Sequence, residues 1–121
     1  MGRIIHFEIP SDNPEKSSAF YKNTFGWNSQ KWGEEDYWLT ETGAKETPGI
    51  NGAITKRSKN LQHVVNTIMV DNITSAISLI NKNGGKVITD IMDIPNIGKF
   101  VYFKDPDENI MGALESSMQM T

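Results

Sequence analysis

Apolar residues recur every second position from Ile4 to Ile9, and this alternation predicts a strand. Ile5, Phe7 and Ile9 share one face. Ile4, His6 and Glu8 share the other, so two ionisable side chains sit together on an otherwise apolar strand. Pro10 and the run Ser-Asp-Asn-Pro break the pattern. Asn13 has the side chain of a helix N-cap, and Pro14 fits the first helical position, where a missing N–H costs nothing. The helix is expected to run to about Phe25, with Ala19 and Phe20 in register and Gly26 as its stop. Phe20, Tyr21 and Phe25 are its expected core residues.

Beyond Gly26 the period returns to two. Trp27 to Trp32 and Asp36 to Glu41 read as a hairpin around Gly33-Glu34-Glu35. A polar loop from Thr42 to Pro48 leads to a glycine-rich strand, Gly49 to Thr55. The basic run Lys56 to Asn60 reads as a solvated connector. Val64 to Val70 is the next strand. Asp71-Asn72 cap a second helix to about Asn83, with Ile73, Ala76, Ile77 and Ile80 at helical spacing. Three more strands are expected at Lys86 to Ile91, Lys99 to Lys104 and Asn109 to Glu115. Asp93 to Gly98 reads as a connector, with gating of a cleft as its functional alternative. Asp105-Pro106-Asp107-Glu108 forms a turn.

The order of elements repeats after about sixty residues. The strand of His6 matches the strand of Asn66, Asp12-Asn13 matches Asp71-Asn72, and Phe25-Gly26 matches Gly84-Gly85. Two copies are too few for a solenoid. Two βαβββ modules, about 3–57 and 62–116 with a tail at 117–121, are expected instead in an α+β fold. Their curved mixed sheets would face a cleft lined by Ile4, His6, Glu8, Asn66 and Ile68. A ferredoxin-like sandwich is the alternative, but it leaves the strands at 49–55 and 109–115 unused.

Composition narrows the function. The chain has 121 residues, one domain's worth, and a net charge of −3, which argues against a general nucleic-acid binder. Cysteine is absent, which excludes disulfides, thiolate zinc sites and cysteine nucleophiles. The opening residues lack an apolar signal core, and no apolar run is long enough to span a bilayer, so a cytoplasmic protein is expected. Phosphate-loop, GxSxG and HExxH motifs are absent.

Three stretches carry a resemblance: IIHFEIPSDNPEKSSAFYKNTFGW, NGGKV at 83–87, and FVYFKDPDENIMGALE. In this order they resemble the vicinal oxygen chelate superfamily, which groups glyoxalase I, bleomycin- and fosfomycin-resistance proteins and extradiol dioxygenases. Glu108 stands where the family's closing turn usually has glycine. The resemblance implies paired βαβββ modules, a small-molecule ligand and a homodimer. In metal-dependent members it implies four ligands, from the first and last strand of each module. His6 fills the first place. The others fall near Asn51 or Gly52, on Asn66, and on Gly112, and none of these is a usual ligand. A divalent metal is therefore disfavoured, and no other cofactor is implied.

The residues themselves point to His6 and Glu8 as a candidate acid–base or ligand-holding pair, since positions two apart on a strand share a face. The bland alternative is a structural pair. Asn51 and Asn66 are candidates to orient a ligand carbonyl, or else to satisfy backbone groups. Trp38, Phe100 and Tyr102 are candidate pocket aromatics, although such positions are commonly core. Trp27 and Trp32 are candidates for a dimer interface. His63 has no evident partner. Two functions follow: a glyoxalase-related lyase or isomerase, with or without metal, and a non-catalytic binder that sequesters its ligand.

Overall fold

The computed structural model describes residues 2–117. The expected tail, apart from Ser117, lies outside them. The chain forms two compact units, one of His6–Val65 and one of residues 2–5 with 66–117.

The first unit follows the predicted order. Strand β1 (Arg3–Ser11) leads to helix α1 (Pro14–Phe25), then β2 (Asn28–Lys31), β3 (Tyr37–Glu41) and β4 (Gly52–Lys56). Asn13 accepts from the Lys16 N–H at 3.2 Å, as an N-cap should. Gly26 closes α1 in the left-handed region at φ 77°, where a residue without Cβ carries no steric penalty. The strands lie in the order β2-β3-β4-β1. β1 runs parallel to β4 and the remaining pairs are antiparallel. β4 starts three residues later than expected. Thr42 instead ties the preceding segment through Asn51 Oδ1 and the Ile50 carbonyl.

The register sorts this sheet into two faces. Glu8, Ala53, Leu39 and Gln30 lie in one row across four strands. Ile9, Ile54, Trp38 and Lys31 make the neighbouring row, on the other face. α1 packs on this second side, through Tyr21 stacked on Trp27, which meets Phe7. The helix presents Pro14 and Ser18 to the sheet, with Ser17 and Tyr21 half-buried. Ala19 is exposed, and Phe20 and Phe25 are 56% and 63% exposed. This corrects the expected core face of α1. The spacing Pro14, Ser18, Tyr21 is as helical as the one chosen, but two serines hide it from a hydrophobic pattern. The basic connector is tied down by Arg57, which donates to Asp12 Oδ1 and to the Gln62 carbonyl.

The second unit repeats the plan. It contains β5 (Val65–Val70), α2 (Ile73–Lys82), β6 (Lys86–Val87), β7 (Met92–Ile94), β8 (Gly98–Lys104) and β9 (Ile110–Ser116). The order β6-β8-β9-β5, with β5 parallel to β9, matches β2-β3-β4-β1 strand for strand. β7 is the addition, and it pairs with β8. The segment 93–98 is therefore a tight hairpin and not a gating loop. Asn96 and Gly98 supply its positive φ values, 66° and 146°. The expected six-residue strand at 86–91 shrinks to two residues. Ile73, Val101 and Ala113 form the core under α2, with Val70, Ile77, Val87 and Phe103 packed on them.

Candidate functional site

In the first unit, β1 to β4 frame an open concavity of about 520 Å³. His6, Asn28, Ser29, Gln30, Leu39, Thr40, Glu41, Asn51 and Gly52 line it. The alternation of the hairpin explains the set. Asn28, Gln30, Leu39 and Glu41 fall on one face, the face of Glu8 and His6. Ser29 and Thr40 fall on the other, where their hydroxyls bond each other at 2.9 Å.

His6 is half-buried and its Nε2 lies 2.8 Å from the Tyr37 hydroxyl. The two ring planes are nearly parallel, 9° apart. Trp32 meets Tyr37 edge-on at 6.1 Å. Burial pushes the imidazole below its ordinary pKa, because the charged ring loses water there. A neutral imidazole held by a phenol can give a proton at one nitrogen and take one at the other. Glu8 lies two residues on along the same face and is 6% exposed.

The predicted residues divide. His6 and Asn51 meet in the concavity, and Glu8 shares their face. Asn51 Oδ1 is already used, accepting from the Thr42 N–H at 2.9 Å. Trp38 lies on the Ile54 side, away from His6. Its buried Nε1 has no hydrogen-bond partner among the described residues. Phe100 and Tyr102 belong to the second unit. They pack edge to face at 4.7 Å, on the side of their sheet opposite Val101 and α2. Asn66 alternates with Val70, which packs into the α2 core, so both Asn66 and Ile68 fall on the helix side. This corrects their expected cleft-facing placement. The helix caps explain it: Asn72 follows Asn13 by 59 residues, so Val65 matches His6 and Thr67 matches Glu8. A one-residue slip turns a strand's faces over. Thr67 lies on the side of Phe100 and Gly112, and its buried hydroxyl is without a partner among the described residues. Tyr37, Asn28, Gln30, Leu39 and Glu41 were missed. The alternation Asn28, Gln30 and Leu39, Glu41 carried the signal, but only the strand register joins it to His6.

The four family ligand places do not suit a divalent metal. Only His6 is a usual ligand. Asn51 is engaged with Thr42, and Gly52 faces Phe7, whose backbone a Cβ would strike. Val65, in the place matching His6, is apolar and 1% exposed. At Gly112 a Cβ would come within 2.7 Å of the Phe100 ring, leaving no room for a carboxylate. Among the described residues no three His, Asp or Glu converge as a metal group would require.

Against known proteins, the Glyoxalase/Bleomycin resistance protein/Dioxygenase superfamily matches residues 3–111. The chain belongs to this superfamily. It is 28% identical over 114 residues to a glyoxylase-like domain-containing protein of Didymella fabae, covering 89% of each chain. It is 26% identical to CFP32 of Mycobacterium tuberculosis, a glyoxylase by name, over 98% of this chain and 46% of that protein. Among solved structures, methylmalonyl-CoA epimerase of Streptomyces coelicolor superposes with a TM-score of 0.70 at 12% identity, covering 98% of this chain and 97% of the other. A superfamily member from Vibrio splendidus superposes at 0.65 and 12% identity, over 96% and 99% of the two chains. These likenesses establish the fold.

Proposed function

We propose that the protein binds a small molecule in the concavity floored by His6, without a chelated divalent metal. One observation carries this reading: a half-buried histidine is held by Tyr37 where the superfamily would place a metal ligand, and its unit surrounds it with hydrogen-bonding side chains. Concave sites with a few convergent polar groups are the usual form of small-ligand sites. Ligand donors and acceptors would meet Asn28, Gln30 and Asn51, while Leu39 offers an apolar contact.

A second reading adds chemistry. The His6–Tyr37 pair suits proton transfer on a bound carbonyl compound, as in a glyoxalase-related lyase or isomerase. The glyoxylase names of the Didymella and mycobacterial relatives favour that direction. The homodimer implied by the family belongs to the same proposal, and sedimentation checks it.

Thermal shift against a panel of small carbonyl compounds and their adducts tests the reading. Wild type, His6→Ala and Gln30→Ala are compared. The proposal expects a stabilising ligand whose effect is lost in both variants and unchanged by EDTA. A ligand that stabilises all three equally would contradict it. Gln30→Ala guards against confusion, because Gln30 is exposed and its loss leaves the core intact.

A further inference from the structure

Charge is distributed unevenly around the concavity. Its lining side chains are three carboxamides, one imidazole and one carboxylate, that of Glu41, with the Ser29 and Thr40 hydroxyls turned to the other face, and they include neither lysine nor arginine. Lys22, in the last turn of α1, donates to Asn28 Oδ1 at 3.0 Å. That bond turns the Asn28 oxygen toward the lysine and commits it. Glu8 lies on the same face of the sheet, in the row of Leu39 and Gln30. Among the described residues, neither helix N-terminus belongs to this lining. α1 begins at Pro14, at the far end of β1 from His6, and α2 lies in the other unit.

We infer that this concavity selects uncharged or cationic ligands rich in hydrogen-bond donors and acceptors, and rejects anions such as carboxylates and phosphates. The inference rests on the proposed binding site and names its ligand class. An anion entering here would lose water and approach Glu41 with no lysine or arginine on the walls to receive it. Gln30 offers a donor and an acceptor in one group, and Asn28 and Asn51, whose oxygens are engaged, offer N–H donors, which suits amides and polyols. An amine would in addition gain from Glu41.

The test is a fragment screen by NMR at neutral pH and low salt, with the library divided into neutral, cationic and anionic members. Hits are those that shift the side-chain amide signals of Asn28, Gln30 and Asn51. The inference expects neutral and cationic hits, with anions on the order of tenfold weaker than matched neutral compounds. Glu41→Gln should bring matched anions to within about threefold, because one exposed carboxylate is worth little more than that. Anions binding as well as their neutral counterparts would overturn the inference while leaving the site itself standing. So would an anion discrimination that Glu41→Gln leaves unchanged. A library that moves none of these signals would instead overturn the binding reading, and the charge preference with it.

Discussion

His6 is the residue on which the proposed site turns, and its burial and its bond to Tyr37 make it testable. Its pKa is lowered by burial from 6.5. Well above pH 6.5 the ring is neutral in the folded and unfolded chain alike, and contributes no pH dependence. As pH falls through 6.5 the unfolded chain binds a proton that the folded chain resists, so stability declines. The decline levels off below the folded value. Urea midpoints measured between pH 7.5 and 5 should fall with pH in wild type and fall less in His6→Gln. Equal slopes would remove the buried ring from the account. Tyr37→Phe leaves a partly buried imidazole nitrogen without its 2.8 Å partner and should cost about 1–2 kcal/mol of stability. Glu108 offers an opposite case. It stands at φ 67°, where the family has glycine, in a turn closed by Asp105 accepting from the Asp107 and Asn109 N–H groups. Glu108→Gly should stabilise by about 0.5–1 kcal/mol by relieving that strain. At this scale the sequence showed His6 and Asn13 by residue type, and Glu108 through the resemblance of its turn. It did not show Tyr37, whose link to His6 spans 31 residues and depends on a side chain leaning across the sheet.

Among the elements, the helices and the main strands were legible because caps and periods agree. Asn13, Pro14 and Gly26 bound α1 as expected, and Asn72 caps α2 by accepting from the Ser75 N–H. The faces were less legible. α1 turns Pro14, Ser18 and Tyr21 inward and leaves Phe20 and Phe25 outside. Phe25→Ser should therefore change unfolding free energy by less than about 1 kcal/mol, whereas Ile73→Ala, at a fully buried site, should cost about 2–4 kcal/mol. A large loss at Phe25 would restore the face that the hydrophobic pattern suggests. Strand β5 shows the other limit. Its alternation is clear, but aligning the two halves one residue off assigns Asn66 the face that belongs to Thr67. The glycine at 112 follows from packing. Gly112→Ala would press on the Phe100 ring and the Thr67 hydroxyl and should cost about 1–3 kcal/mol. β7 could not be read, because three residues with Asp93 at their centre and Pro95 directly after them carry no strand period.

For the whole molecule, duplication was the most informative signal. The strand order β2-β3-β4-β1 recurs as β6-β8-β9-β5, and the superfamily match over residues 3–111 agrees with it. Of the residues lining the concavity, only His6, Asn51 and Gly52 were legible in the sequence, because its walls come from strands whose register no single segment encodes. The same register explains the chemistry. It sets polar, metal-poor side chains around one histidine and hands that histidine to a tyrosine. The most direct test of this account is the imidazole nitrogen spectrum of His6 in labelled protein, recorded before and after one equivalent of zinc. The account predicts a neutral ring in a single tautomer, unmoved by the metal and perturbed by Tyr37→Phe. A stoichiometric zinc-induced shift at His6 Nε2, with the Tyr37 bond released, would contradict it.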